Sequence, residues 1–143
     1  MDFKQLAQDT IDMFNDRSFR TKAKDVADAD IVVKDIPAGL ELRGVDGFVQ
    51  FSEGFITAMP DVKGTVVEQM MDGNTVTSHV HGTGTFTGLL ETPQGKVPGN
   101  GNLISVEYTI DQEFNDAGKL VRFDINYNMQ DFMAQLGLPM PPS

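Results

Sequence analysis

The chain of 143 residues carries a formal net charge of −10, with a pI near 4.4. Its length predicts one domain over residues 1–143, which buries roughly two thirds of its unfolded surface. The acidic balance argues against nucleic acid and anionic membranes as partners, because both attract clustered Lys and Arg. The absence of cysteine excludes disulfides, thiolate metal sites and a Cys nucleophile. There is no signal-peptide pattern and no membrane-spanning apolar run, so we expect a cytoplasmic protein.

Apolar side chains recur at helical spacing in three segments of the first 60 residues. The first helix follows Asp2, which is placed to cap it, with Gln5 three residues further on as in a capping box. A second, shorter helix is predicted from Ser18 to about Ala27.

The third predicted helix begins after Gly44, with Asp46 as its expected cap, and ends at Pro60. Gly54 lies inside this helix and costs roughly 1 kcal/mol relative to Ala, which predicts a close contact there. The apolar stripe of the helix predicts packing against a sheet or, in a fold with a cavity, the roof of that cavity. The stripe consists of Phe48, Phe51, Phe55 and Met59.

The remaining patterns predict strands and turns. The predicted strands are 31–36, 40–43, 62–71, 74–87, 103–113 and 121–128. A segment with four Gly and two Pro, 88–101, predicts a loop near a pocket rim. Helices followed by a long antiparallel meander predict an α+β fold rather than alternating βαβ units.

The last strand, 121–128, divides into two rows because side chains alternate with period two. One row is apolar, and the other carries Arg122, Asp124, Asn126 and Asn128. The polar row is either a solvated sheet face or the polar wall of a cavity. In a cavity wall, Asp124 would be a general base, because desolvation raises the pKa of a carboxyl, although the adjacent Arg122 opposes that shift.

Three other patterns indicate no catalytic or metal site. His79 and His81 share a strand face, but the sequence places no third metal ligand, so we expect hydrogen bonding and no metal. The glycine-rich run 82–88 lacks the context of a phosphate loop and fits bending of a curved sheet. No G-x-S-x-G motif is present, so a hydrolytic triad is not expected.

Short motifs along residues 44–137 carry a resemblance to a known family. They are GVDGF at 44–48, FITAMPD at 55–61, DGNTV at 72–76, GTFTG at 84–88, TPQGK at 92–96, FNDAGKL at 114–120 and QLG at 135–137. In order and spacing they resemble the SnoaL-like polyketide cyclase (ester cyclase) group of the nuclear transport factor 2-like superfamily.

The resemblance implies a cystatin-like α+β fold, in which a curved antiparallel sheet forms a cone-shaped barrel around the N-terminal helices and encloses an apolar pocket. It implies homodimers and base-catalysed aldol chemistry without a metal or cofactor. The family's acid on the last strand falls on Asn128, which cannot be a base, so Asp124 is the alternative. The family comparison predicts that the polar row faces the pocket, whereas simple alternation predicts that Phe123 and Ile125 face inward.

The candidate site therefore has Asp124 as its catalytic residue, together with residues that would contact a small apolar, ketone-bearing molecule. These are Asn128, Asn126, Arg122, His79, Phe86, Phe55 and Tyr108. Three functions remain open: a cofactor-free cyclase or isomerase, a non-catalytic binder that has lost the family acid, and a dimerisation module with its polar rows at the interface.

Overall fold

The computed structural model describes residues 1–92 and 95–138, which form helices and strands in α+β order. The helices are α1 (Phe3–Asn15), α2 (Phe19–Val26), α3 (Gly44–Ala58) and α4 (Met129–Leu136). The strands are β1 (Ala27–Asp35), β2 (Leu40–Arg43), β3 (Lys63–Asp72), β4 (Thr75–Phe86), β5 (Leu89–Thr92), β6 (Gly95–Pro98), β7 (Asn102–Phe114) and β8 (Leu120–Tyr127). No helix within the described ranges is long and apolar enough to cross a membrane.

Six strands form one curved sheet in the order β2-β1-β8-β7-β4-β3. The predicted α+β fold, with N-terminal helices against a curved sheet, is confirmed. The sheet is mixed rather than antiparallel throughout, because β1 pairs with β8 in parallel, and it does not close into a barrel. Alternation of side chains identifies a strand but contains no information on the direction of its partner.

The helix starts are partly as predicted. Asp2 caps α1, since its Oδ1 accepts the amide hydrogen of Gln5 at 3.1 Å. The cap of α3 is Arg43, without a side-chain hydrogen bond, whereas Asp46 lies in the first turn. There its charge complements the helix dipole instead of capping the helix. The close contact expected at Gly54 is also wrong, because nothing lies within 4 Å of a Cβ placed there.

The predicted loop 88–101 contains a hairpin in which β5 pairs with β6, so the loop assignment is wrong there. Its Gly and Pro content predicted irregular structure, but the two short strands pair with each other locally. Gly88 anchors the hairpin by donating its amide hydrogen to the carbonyl of Ala58 at 2.9 Å, and a Cβ at that position would overlap the carbonyl oxygen of Thr57. Pro93 and Gln94, part of the TPQGK motif, lie outside the described residues.

The main core lies between the helices and one face of the sheet, here called the inner face. Helices α1 and α3 pack near β3 and β1, so they cover opposite sides of that face. Asn15 joins α1 to β3 by accepting the amide hydrogen of Gly64 at 2.8 Å and donating to its carbonyl at 2.7 Å. The main core contains side chains of the inner face. The opposite, outer face of the sheet carries most of the polar rows.

Candidate functional site

An apolar cavity lies between the inner face of the sheet and the helices. Its empty space, including the opening to solvent, is about 920 Å³. Aromatic and aliphatic side chains form most of its wall, and they include Phe14 of α1, Phe51 and Phe55 of α3, Phe123 of β8 and Phe132 of α4. Such a wall suits a small apolar molecule.

Strand β8 turns its apolar row toward this cavity. Phe123, Ile125 and Tyr127 line the cavity, whereas the side chains between them lie on the other face. The apolar row therefore faces the cavity, as simple alternation predicts, and the polar row that the family comparison placed there lies on the other face. The physical reason is the apolar inner face, where Phe123 and Ile125 are buried against the helices.

A buried carboxyl lies directly behind the cavity wall. Asp35, the last residue of β1, is only 6% exposed, and its Oδ2 accepts a hydrogen bond of 3.0 Å from the hydroxyl of Tyr127. Burial raises the pKa of the Asp35 carboxyl, and the hydrogen bonds from Tyr127 and the Ala38 amide oppose that shift. Burial and the nearby Asp35 also raise the pKa of Tyr127, so the hydroxyl keeps its proton.

Asp124, the predicted base, lies on the outer face of β8. Arg122 Nε is 3.4 Å from its Oδ2, and the same guanidinium reaches Glu113 at 3.7 Å. Burial raises the pKa of Asp124, Arg122 and Lys34 lower it, and Asp111 and Glu113 raise it. This placement removes Asp124 from the cavity wall, and its role as a base stays a prediction.

The other predicted contact residues are divided among four places. Phe55 and Tyr108 line the cavity. Phe86 is fully buried in a second core cluster with residues of α4, while His79 and Asn126 border a shallow groove on the outer face. Asn128 is exposed and caps α4, since its Oδ1 accepts the amide hydrogen of Asp131 at 2.9 Å.

The two histidines differ in their surroundings. Nε2 of His81 lies 2.7 Å from the hydroxyl of Ser105, and His79 is exposed. Within residues 1–92 and 95–138, no group of three or more His, Asp or Glu side chains could hold a metal ion.

Asp35 and Tyr127 are candidate site residues that the sequence reasoning missed. The alternation of β1 contained a signal, because Asp35 shares a row with Ile31 and Val33, both fully buried. A carboxyl that ends an apolar row is costly to bury without a function or a partner. Its partner was not visible in sequence, because the two residues lie 92 positions apart.

An α+β chain with a cavity between its helices and an open, curved sheet has the architecture of the nuclear transport factor 2-like class. The chain belongs to the SnoaL-like polyketide cyclase family, whose sequence pattern matches residues 4–136. No curated protein matches the chain in sequence.

Solved structures from three organisms share this fold. AclR of Streptomyces galilaeus, provisionally assigned as a hydroxylase, is 26% identical, with a TM-score of 0.76 over 98% of this chain and 84% of that one. IdmH of Streptomyces antibioticus, provisionally assigned as a polyketide cyclase, is 19% identical, with a TM-score of 0.77 over 96% and 100%. A SnoaL-like protein from Jannaschia sp. CCS1 is 14% identical, with a TM-score of 0.79 over 96% and 94%.

Proposed function

We propose that the protein catalyses cofactor-free proton transfer on a small apolar ketone bound in the cavity, as a cyclase or isomerase does. The observation that carries the proposal is the buried Asp35 carboxyl, which lies behind the mostly apolar cavity wall and is hydrogen-bonded to Tyr127 of that wall. A raised pKa strengthens Asp35 as a base, because a carboxylate with a higher pKa holds an abstracted proton better.

The proton would move through the tyrosine. A carbon next to the ligand carbonyl gives its proton to the Tyr127 oxygen while the Tyr127 hydroxyl proton passes to Asp35. The products are an enolate, a neutral Tyr127 and a neutral Asp35. The enolate then takes a proton at another carbon, which is isomerisation, or attacks a second carbonyl of the same molecule, which is cyclisation. The low polarity of the wall strengthens each of these electrostatic interactions.

Deuterium exchange into 2-tetralone tests this proposal without knowledge of the natural substrate. We expect the protein to accelerate exchange at the carbons beside the carbonyl above the buffer rate, as measured by NMR in D₂O. Asp35→Asn should lower the acceleration by roughly 100-fold or more, the usual contribution of a positioned base. Tyr127→Phe should lower it as well, because the relay is then interrupted.

The matched comparison is Asp124→Asn, which removes the other acid with a raised pKa, on the outer face. An unchanged rate in Asp124→Asn supports Asp35 as the base. Loss of exchange in Asp124→Asn together with normal exchange in Asp35→Asn would identify Asp124 as the base instead. Exchange at the buffer rate in the wild-type protein would refute proton-transfer catalysis on this class of ketone.

A non-catalytic binding domain is the second candidate. It is favoured by Asn128, which stands where the family resemblance expects an acid and which caps α4 instead. A thermal-shift screen with apolar ketones separates the two candidates, because a bound ligand stabilises the folded state by mass action. Stabilisation without exchange in any bound ketone would favour the binder.

The assembly and compartment also remain proposals. We propose a cytoplasmic homodimer that needs neither metal nor cofactor and binds neither nucleic acid nor membrane. The support is the family resemblance and the acidic charge of −10. Sedimentation velocity at micromolar concentration tests the dimer, since a monomeric mass would contradict it.

A further inference from the structure

The hydroxyl groups along the cavity differ in whether they are free to bind a ligand. Thr10 donates to the carbonyl of Ala7 at 2.7 Å and accepts from the buried Gln112 at the same distance. Ser52 donates to the carbonyl of Phe48 at 3.1 Å. These two hydroxyls are therefore hydrogen-bonded within the protein. A ligand that lies beside them would contact mainly the hydrocarbon side chains of the wall.

Tyr108 is different, because no group in the described part of the chain hydrogen-bonds its hydroxyl. Two glycines make room for its ring. A Cβ at Gly82 would lie 2.7 Å from Cε1 of Tyr108, and a Cβ at Gly64 would lie 2.8 Å from its hydroxyl oxygen. The ring thus crosses β4, and its hydroxyl reaches β3. Burial raises the pKa of Tyr108 to about 12, so the hydroxyl stays a donor at neutral pH.

Tyr127 extends in the opposite direction. Its α-carbon is paired with that of Tyr108 on neighbouring strands, but its hydroxyl reaches Asp35 on β1. Strands β1 and β3 are four strand spacings apart in the sheet, roughly 19 Å along its curved surface at about 4.8 Å per spacing. The two tyrosine hydroxyls therefore lie toward opposite ends of the cavity, and the hydroxyl hydrogens of Thr10 and Ser52 are already donated within the protein.

We propose that the ligand is elongated and carries oxygen at both ends: a carbonyl at the reacting end beside Tyr127, and a hydrogen-bond acceptor held by Tyr108 at the other end, with hydrocarbon between them. This inference rests on the proposed function for the reacting end. The distal contact is separate, because it concerns binding by Tyr108 and involves no proton transfer. Tyr108 is thus a residue that determines which apolar ketones bind.

Two rigid probes of equal shape test the distal contact: 4,4′-diacetylbiphenyl and 4-acetyl-4′-ethylbiphenyl, which lacks the second carbonyl. Calorimetric titration of the wild-type protein should give a Kd for the diketone that is lower by roughly 3- to 10-fold, the effect of one neutral hydrogen bond. In Tyr108→Phe the two probes should bind with equal Kd. Tyr108→Phe should fold normally, because it removes a hydroxyl that has no hydrogen-bond partner within residues 1–92 and 95–138.

Ser52→Ala is the matched control, since it removes a cavity hydroxyl that the protein already satisfies. We expect it to preserve the ratio of the two Kd values. Equal binding of both probes to the wild-type protein, a ratio that persists in Tyr108→Phe, or binding of neither probe would overturn the inference. The Kd ratio does not depend on turnover, so it can hold when deuterium exchange fails, and it can fail when exchange persists.

Discussion

Tyr127 donates a hydrogen bond of 3.0 Å to Asp35 across the parallel strand pair β8 and β1. This pair is the only parallel one among the described strands of the six-stranded sheet, and it brings the last strand beside the first. Because the tyrosine lines the cavity and the carboxyl lies behind it, the two residues connect an apolar ligand space to an ionisable group.

The raised pKa of Asp35 predicts a specific dependence of stability on pH. The folded protein holds this proton more tightly than the unfolded chain, in which Asp titrates near 3.9. The resulting stabilisation is complete below that pH and is lost as pH rises through the folded-state pKa. Urea unfolding at several pH values should therefore show Asp35→Asn gaining free energy of unfolding relative to the wild-type protein as pH rises. A constant difference would contradict a raised pKa.

Tyr127→Phe should raise the pKa of Asp35 further, because the tyrosine hydrogen bond stabilises the charged carboxylate. The variant should also lose about 1–3 kcal/mol of unfolding free energy at neutral pH, the cost of removing a donor from a buried acceptor. Carboxyl ¹³C NMR titration measures the pKa, and urea unfolding measures the free energy. An unchanged Asp35 pKa would show that the hydrogen bond has no effect on the carboxyl in solution.

Asn15→Ala should lower the free energy of unfolding by about 1–3 kcal/mol, because it removes both hydrogen bonds between α1 and the backbone of Gly64. Asn126→Ala is the matched control, because Asn126 is exposed and its side chain makes no hydrogen bond in the described part of the chain. Its effect should stay within about 0.5 kcal/mol. Equal losses in the two variants, measured by urea unfolding, would contradict a structural role for Asn15.

Gly54→Ala should raise the free energy of unfolding by about 0.5–1 kcal/mol, since the position is an exposed helix interior with open space for a methyl group. Gly88→Ala provides the contrast, because its Cβ would overlap the backbone carbonyl of Thr57. We expect that variant to be less stable than the wild-type protein. Thermal unfolding of both variants decides the prediction, and a destabilised Gly54→Ala would indicate a contact absent from the structure.

The sequence predicted local structure well and predicted the site incompletely. Strand β2 was predicted at residues 40–43, as found, because turn residues bound it on both sides. The apolar row of β8 followed from alternation alone. The choice of Asp124 depended on which row faces the cavity, and the family comparison favoured the row that lies outside. Asp35 shares a row with buried residues, but alternation could not show that a tyrosine from the opposite end of the chain would bond to it.

The sequence by itself determined the first three helices, the six strands of the main sheet and the family, because these depend on local periodicity and on motifs within short segments. The parallel pairing of β1 with β8, the open sheet and the position of each row relative to the cavity were decided only by tertiary structure. The physical reason is that strand pairing joins residues far apart in the chain, and burial depends on all the elements that pack around them. The Asp35–Tyr127 pair belongs to this second group.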